Sequence, residues 1–316
     1  MIYDYLIVGL GFAGAVAAER LASEGFSVLA VEKRPHVGGN CYDSVDEAGI
    51  LVHKYGPHIF HTNNREVWNY LSQFTAWLDY SHRVLAQVDG KEIPLPFNLN
   101  SLDAMFSADQ ARRYEQALLE HVGSGQKVTI LELLKINNIV LRELAEIIYE
   151  NIYRHYSQKQ WGASLESLQI KVAERVPLWV DRDPRYFKDQ YQGIPKDGYT
   201  RLFERMLSNG KIEIILEKDY KEVIKSVKFR KMVYTGPLDE FFDYKYGKLP
   251  YRALNFVFTT LPEERHQRAA VVNYPGSEPY TRVTEFKHFT GQKSAQTTII
   301  HEYPDDYQSG QNEPAY

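Results

Sequence analysis

Tyr5-Leu6-Ile7-Val8-Gly9-Leu10-Gly11-Phe12-Ala13-Gly14 is the stretch on which the reading of this chain turns. Four apolar residues make a run of strand length, and a glycine turn follows at once. Beyond it, Gly14, Ala17, Ala18 and Leu21 recur at i, i+3, i+4 and i+7, the spacing of one buried helix face. Gly25 supplies a helix stop, and Ser27-Val28-Leu29-Ala30-Val31 reads as a second buried strand that ends at Glu32. Strand, glycine turn, helix, strand and terminal acid predict a dinucleotide-binding βαβ unit. Gly9 permits the tight turn, Gly11 lets the backbone approach a pyrophosphate, and Gly14 lets helix and strand pack closely. Phe12 belongs to the same turn, where the first helical amides and the positive dipole end face phosphate. Glu32 is positioned to accept hydrogen bonds from a ribose.

The next residues narrow the cofactor. Glu32-Lys33-Arg34-Pro35-His36-Val37-Gly38-Gly39-Asn40 sets a second glycine pair shortly after the acid. This resembles the extended signature of FAD-dependent oxidases and reductases, so FAD is expected, with Lys33, Gly38, Gly39 and Asn40 among its contacts. Met232-Val233-Tyr234-Thr235-Gly236 matches a second flavoprotein habit, an apolar strand ending in Thr235 and Gly236 beside the cofactor.

Composition sets outer bounds. At 316 residues the chain is long enough for two or three subdomains. A net charge of −4 carries no nucleic-acid footprint. No run of about eighteen apolar residues occurs, so no membrane span is expected. The first strand begins too early to leave room for a secretory signal, and Cys41 is the single cysteine, which excludes an internal disulfide. A cytoplasmic protein is expected.

Along the chain, His53, His58 and His61 come close together. Gly56 and Pro57 break any helix between the first two, and no carboxylate or thiolate joins the cluster. No metal is therefore expected; His58 is read as lying on a loop against a flavin, and His53 as open to a structural role. A short helix is predicted over 64–74. A hairpin follows over 84–95, because Asp89-Gly90 favours the primed turn and Pro94 marks an edge. Helices are predicted over 107–122, 129–136, 140–153 and 165–175. Residues 153–162 are polar and aromatic without a clean period, either a packed helix end or a platform for a planar ligand. The stretch 177–195 resists assignment and is read as a mobile substrate loop. A helix starts near Gly198. Strands over 211–216 and 231–235 return to the first sheet, and 253–258, 270–274, 282–286 and 297–301 read as an antiparallel sheet. The expected architecture is α/β: a Rossmann-like FAD-binding domain (1–75 and 191–242), an inserted helical bundle (99–190), and an antiparallel β-sheet domain (76–98 and 243–316).

Several later stretches carry a closer resemblance. His53-Lys54-Tyr55-Gly56-Pro57-His58-Ile59-Phe60-His61-Thr62, Leu95-Pro96-Phe97-Asn98 and Lys159-Gln160-Trp161-Gly162 are three of them. Tyr234-Thr235-Gly236-Pro237 is a fourth, and Tyr186 to Pro195 and Tyr280 to Phe289 carry two more. Together with the glycine turn they resemble the bacterial UDP-galactopyranose mutases over essentially the whole chain. The resemblance implies a flavin-dependent isomerase that interconverts UDP-galactopyranose and UDP-galactofuranose for cell-surface glycan synthesis. It works through a sugar adduct on N5 of the reduced flavin, after an external reductant has reduced it. The implied partner is UDP-galactose, and a homodimer is compatible. By the same resemblance His58, Arg252 and Arg282 are catalytic. Tyr156, Trp161, Tyr186 and Asn273 join Arg252 and Arg282 in binding substrate. Arg282 clamps the diphosphate, where a planar five-donor fork suits two phosphates better than a lysine.

Two departures accompany the match. After Val176-Pro177-Leu178 the family's lid arginine is replaced by Trp179, with Arg182 and Arg185 the nearest cations. The family's tyrosine-rich C-terminal segment does not appear before Tyr316, which predicts weak flavin retention and slow or absent turnover. The alternatives are a catalytically impaired remnant that binds flavin and UDP-sugar, and an amine-oxidase-like oxidoreductase with FAD.

Overall fold

The computed structural model describes residues 2–162, 177–308 and 311–315. The helix expected over 165–175 lies outside them. The chain divides into two compact units, Met1–Tyr80 with Asp189–Pro250, and Ser81–Lys188 with Tyr251–Tyr316.

In the first unit, Ile2–Val8 is one of the two inner strands of a four-stranded sheet. The order is Ile212–Ile215, Val28–Val31, Ile2–Val8, Lys228–Tyr234, and every pair is parallel. Parallel strands covered on both faces read as continuous apolar runs, and this one does. Ile7, Val28 and Ala30 pack on one side with Ala15, Ala18 and Ala22 of the helix Phe12–Ser23 and Leu202, Phe203 and Met206 of Tyr199–Met206. Leu6, Val8, Leu29 and Val31 turn to the other side, against Tyr220 and Val223. The returning strands expected from sequence are both here.

The buried face of Phe12–Ser23 differs from the expected one. Gly14, Ala15, Ala18, Glu19 and Ala22 are buried, while Ala17 and Leu21 are only partly so. The sequence is rich in alanine on every side, so periodicity alone does not select a face. Glu19 is tolerated at 7% exposure because Tyr70 and Ser23 donate hydroxyl hydrogen bonds to it and Arg20 pairs with it. The helix at 64–74 is shorter than expected, Arg65–Leu71, and its cap is Asn64, whose side chain accepts from the amides of Glu66 and Val67.

The second unit holds a six-stranded sheet in the order Arg252–Leu261, Thr297–Asp306, Arg282–Glu285, Val271–Asn273, Val84–Val88, Lys91–Leu95. All pairs are antiparallel except Val271–Asn273 with Val84–Val88. The hairpin turns at Asp89 and Gly90, both at positive φ (48° and 77°), and Pro94 sits on the edge strand. The helices of this unit begin at caps: Ser107 with Gln110 and Thr129 with Glu132 form capping boxes, and Asn138 caps Ile139–Ile148. The sequence reading missed the helix Leu99–Met105, capped by Asn98.

The helical segment and the six-stranded sheet share this unit. Dividing it into the two domains expected from sequence stays a proposal. Among the described residues, no helix is long and apolar enough to cross a membrane.

Candidate functional site

The glycine turn is built for close approach. Gly9 has φ of 90°, and a Cβ there would stand 2.5 Å from Thr235 Oγ1. A Cβ on Gly14 would lie 1.9 Å from the Gly9 carbonyl oxygen, so only glycine lets this helix meet its strand. Gly39 carries the second pair against the first: its Cβ would fall 2.8 Å from Gly11 Cα. Gly11 is different. A Cβ there would meet only Gly39 Cα, at 3.9 Å, so internal packing does not require glycine and the open side is left for something outside the fold. No side chain caps Phe12–Ser23 at its N-terminus and no acid stands in its first turn. These residues fit a dinucleotide diphosphate.

Glu32 is buried at the end of its strand. Its carboxylate accepts from Leu10 N at 2.8 Å and Arg34 N at 3.0 Å. It therefore fixes both loops of the turn and keeps lone pairs for a ribose hydroxyl. Arg34 also donates to Asn40 Oδ1, and Thr235 donates to Val8 O. Gly236 follows, and a Cβ there would stand 2.7 Å from the Tyr234 hydroxyl oxygen. The Phe12 ring packs against Phe203. Lys33 is exposed next to Glu32.

The three histidines part ways. His53 is 1% exposed, and its Nδ1 accepts from His58 N at 3.0 Å. Burial lowers its pKa to about 3, so it is neutral and structural. His58 Nδ1 lies 2.9 Å from the Gly56 carbonyl, which assigns the proton to that nitrogen, and burial lowers its pKa as well. His61 pairs with Asp189. Among the described residues no group of three His, Cys, Asp or Glu is arranged to hold a metal ion.

In the second unit, sheet register assembles what the sequence keeps far apart. Ala86, Asn273, Arg282 and Glu302 are successive partners across four strands, so their side chains share one row and one face. Arg282 Nε lies 3.0 Å from Glu302 Oε2. Glu302 is 1% exposed, and burial pushes its carboxyl pKa up against the opposing pull of the guanidinium. Asn273 Oδ1 is buried without a partner among the described residues. Tyr186 is tied through its amide to His82 O at 2.7 Å, and the Arg282 charge acts on its hydroxyl.

Tyr156 and Trp161 lie on the helix His155–Trp161, which packs against Thr297–Asp306. Gly162 ends it at φ of 65°, with the Arg252 guanidinium against it. Arg252 pairs with Asp306 and donates to Gln160 O. Lys159 donates to the carbonyls of Tyr274, Glu278 and Tyr280, tying this helix to the loop between Asn273 and Arg282.

Sequence reading assigned no role to Lys159, although it opens the Lys159-Gln160-Trp161-Gly162 stretch, and overlooked Glu302, which depends on cross-strand register.

At the stretch read as a mobile loop, Trp179 N donates to Phe97 O and Val180 N to Gln126 O, while Asp181 O accepts from Leu99 N. Lys188 Nζ stands 3.6 Å over the Trp179 ring. Arg182 pairs with Asp103 and Glu115, and Arg185 forks Asp183. Residues 177–187 are thus held by several backbone bonds, and both cations already carry carboxylate partners.

A parallel sheet with a double glycine turn and a buried acid at the end of its second strand defines an FAD-binding protein of the Rossmann-like class. Two family profiles match: "NAD(P)-binding Rossmann-like domain" over residues 7–74, and "UDP-galactopyranose mutase" over residues 151–316. The chain is 36% identical over 300 residues to a probable UDP-galactopyranose mutase of Klebsiella pneumoniae, covering 94% of this chain and 77% of the relative. It is 35% identical over 303 residues to a dTDP-fucopyranose mutase of Escherichia coli, covering 94% and 80%. The crystal structure of a reduced UDP-galactopyranose mutase shares the fold at a TM-score of 0.63 and 14% identity, over 96% of this chain and 75% of that one. The chain belongs to the UDP-galactopyranose mutase family.

Proposed function

We propose that this chain interconverts UDP-galactopyranose and UDP-galactofuranose, in the cytoplasm, as a source of galactofuranose for cell-surface glycans. The observation that carries the reading is the row of Asn273, Arg282 and Glu302 in a chain of this family. A half-buried arginine held by a buried glutamate is oriented before any ligand arrives, and its planar guanidinium suits a diphosphate. Tyr186 brings a buried hydroxyl near the same guanidinium. Tyr156 and Trp161 offer aromatic faces on one short helix, with Arg252 steadied beside its end.

Gly9, Gly11, Phe12, Gly14, Glu32, Lys33, Gly38, Gly39, Asn40, Thr235 and Gly236 hold the FAD in this reading. His58, with Nδ1–H fixed on Gly56 O, keeps an acceptor nitrogen for it. When bound and reduced by an external reductant, FAD supplies nucleophilic chemistry at the anomeric carbon.

A second reading has its own support. The dTDP-fucopyranose mutase of Escherichia coli is almost as similar as the galactose enzymes, so a dTDP-linked sugar is the alternative substrate.

One experiment addresses both. Protein reconstituted with FAD and reduced by dithionite is given UDP-galactofuranose or dTDP-fucofuranose, and products are resolved by chromatography. Conversion of the first at the higher kcat/KM supports the galactose reading, and preference for the second supports the alternative. No conversion of either, together with no UDP binding, would overturn both.

A further inference from the structure

The strand Arg252–Leu261 forms one edge of the six-stranded sheet. It pairs with Thr297–Asp306 through ten consecutive positions without a bulge, so its outer side presents a straight ladder. The first two positions of that side already hold a strand. Pro314 bridges Ala253 in antiparallel sense, and Ala315 N donates to Arg252 O at 2.8 Å. Beyond them, no strand lies on the outer side among the described residues. Because Arg252 O is turned outwards, alternation turns the backbone groups of Leu254, Phe256 and Thr260 outwards as well.

A long exposed edge invites pairing with another chain, and proteins blunt such edges with charge, proline or a bulge. The other edges of the two larger sheets carry these devices. Lys91–Leu95 has Lys91, Glu92 and Pro94; Lys228–Tyr234 has Lys228, Arg230 and Lys231; Ile212–Ile215 has Glu213. From Ala253 to Leu261 there is no charged residue, proline or glycine, and Val257 is 48% exposed. An antiparallel edge is also self-complementary about a two-fold axis, the symmetry of a closed dimer. The outward positions of this one lie symmetrically about Val257. Pairing centred there sets Leu254 opposite Thr260 of the other copy, Phe256 opposite Phe258, and Val257 opposite itself.

We propose that Arg252–Leu261 is an interaction edge on which a second copy of this chain lays its own Arg252–Leu261. The two strands run antiparallel with the two-fold axis at Val257, and they join the two six-stranded sheets into one. The contact stands independently of the nucleotide-sugar reading. One edge is a small interface, so a dissociation constant on the order of micromolar is expected.

Sedimentation velocity on the full chain, from about 1 to 100 μM, should show monomer passing to dimer and no further. Val257→Lys sets like charges against each other at the axis and should weaken the dimer at least about tenfold. Val257→Cys should form a disulfide-linked dimer on oxidation with copper phenanthroline. Opposed residues in a non-hydrogen-bonded pair stand about 4.5 Å apart at Cα, within reach of a disulfide. Asn255→Cys should not cross-link, because the same pairing keeps its two copies about 14 Å apart. Wild type, with Cys41 alone, sets the background. If the lysine variant does not fold, the two cysteine variants decide. Wild type that stays monomeric throughout the range would overturn the proposal. So would association that Val257→Lys leaves intact, that continues beyond the dimer, or that cross-links equally through positions 255 and 257.

Discussion

His53 and Arg282 show how burial assigns opposite duties to two polar side chains. His53 is sealed in and neutral, with Nδ1 spent on the His58 amide. Its folded pKa of about 3 lies below the unfolded value near 6.5, so between those values the unfolded chain binds a proton that the folded one refuses. Stability from this group is complete above pH 6.5 and falls as pH drops towards 3, by at most about 1.4 kcal/mol per pH unit. His53→Asn keeps an acceptor for the amide and removes the titration. Urea midpoints at pH 7, 5 and 4 should fall less steeply in the variant; parallel curves would mean another group controls acid unfolding. Arg282 stays charged and half-buried beside Glu302. Arg282→Ala is expected to weaken UDP binding by about 2–4 kcal/mol, since a charge-assisted contact is lost and Glu302 is left buried without its cation. Tyr186→Phe should cost roughly 0.5–1.5 kcal/mol, a neutral hydrogen bond. Titration of both variants with UDP checks the order.

Among elements, the short helix His155–Trp161 depends most on one side chain. The Lys159 ammonium has three donors and meets three carbonyls, of Tyr274, Glu278 and Tyr280, which holds the loop between Asn273 and Arg282. Lys159→Met leaves those carbonyls unpaired and should destabilise the protein by about 2–4 kcal/mol. Faster amide exchange over 274–281, with the glycine turn of 9–14 unaffected, would locate the damage; equal exchange in both would place the lysine outside the loop's support. Elements of this kind divide what a sequence makes legible. Caps at Asn64, Ser107 and Thr129, the Asp89-Gly90 turn and the strands around Gly9 are written locally, because each depends on residues within a few positions. The absent period over 153–162 has a physical cause in the π turn Tyr149–Arg154 that runs into it, which adds a residue and shifts the face. The row of Asn273, Arg282 and Glu302 is another matter. Alternation in each strand is visible in the sequence, yet which positions align depends on the register of strands separated by loops of different lengths. Arg282 was reached by resemblance, and Glu302 was not reached at all.

At the scale of the whole molecule, the residues read as holding the cofactor and those read as holding the nucleotide sugar segregate by unit. Gly9 to Gly14, Glu32 to Asn40, His58, Thr235 and Gly236 all belong to the first; Tyr156, Trp161, Tyr186, Arg252, Asn273 and Arg282 all belong to the second. A ligand stabilises the conformation to which it binds by RT ln(1 + [L]/Kd), about 2.7 kcal/mol at a hundredfold excess over Kd. Amides that exchange through openings which release the ligand slow by up to about a hundredfold under that condition. Saturating FAD is therefore expected to slow exchange over 7–14, 32–41 and 234–236. Saturating UDP should slow it over 149–161 and 271–285. Hydrogen-exchange mass spectrometry with each ligand alone distinguishes the two sets. Protection by UDP confined to 7–41 would mean that the nucleotide occupies the dinucleotide turn, and it would remove Arg282, Asn273 and Tyr186 from the substrate site. Protection over 271–285 that disappears in Arg282→Ala, while FAD still protects 7–14, would tie the nucleotide to the sheet row by the residue that carries the assignment.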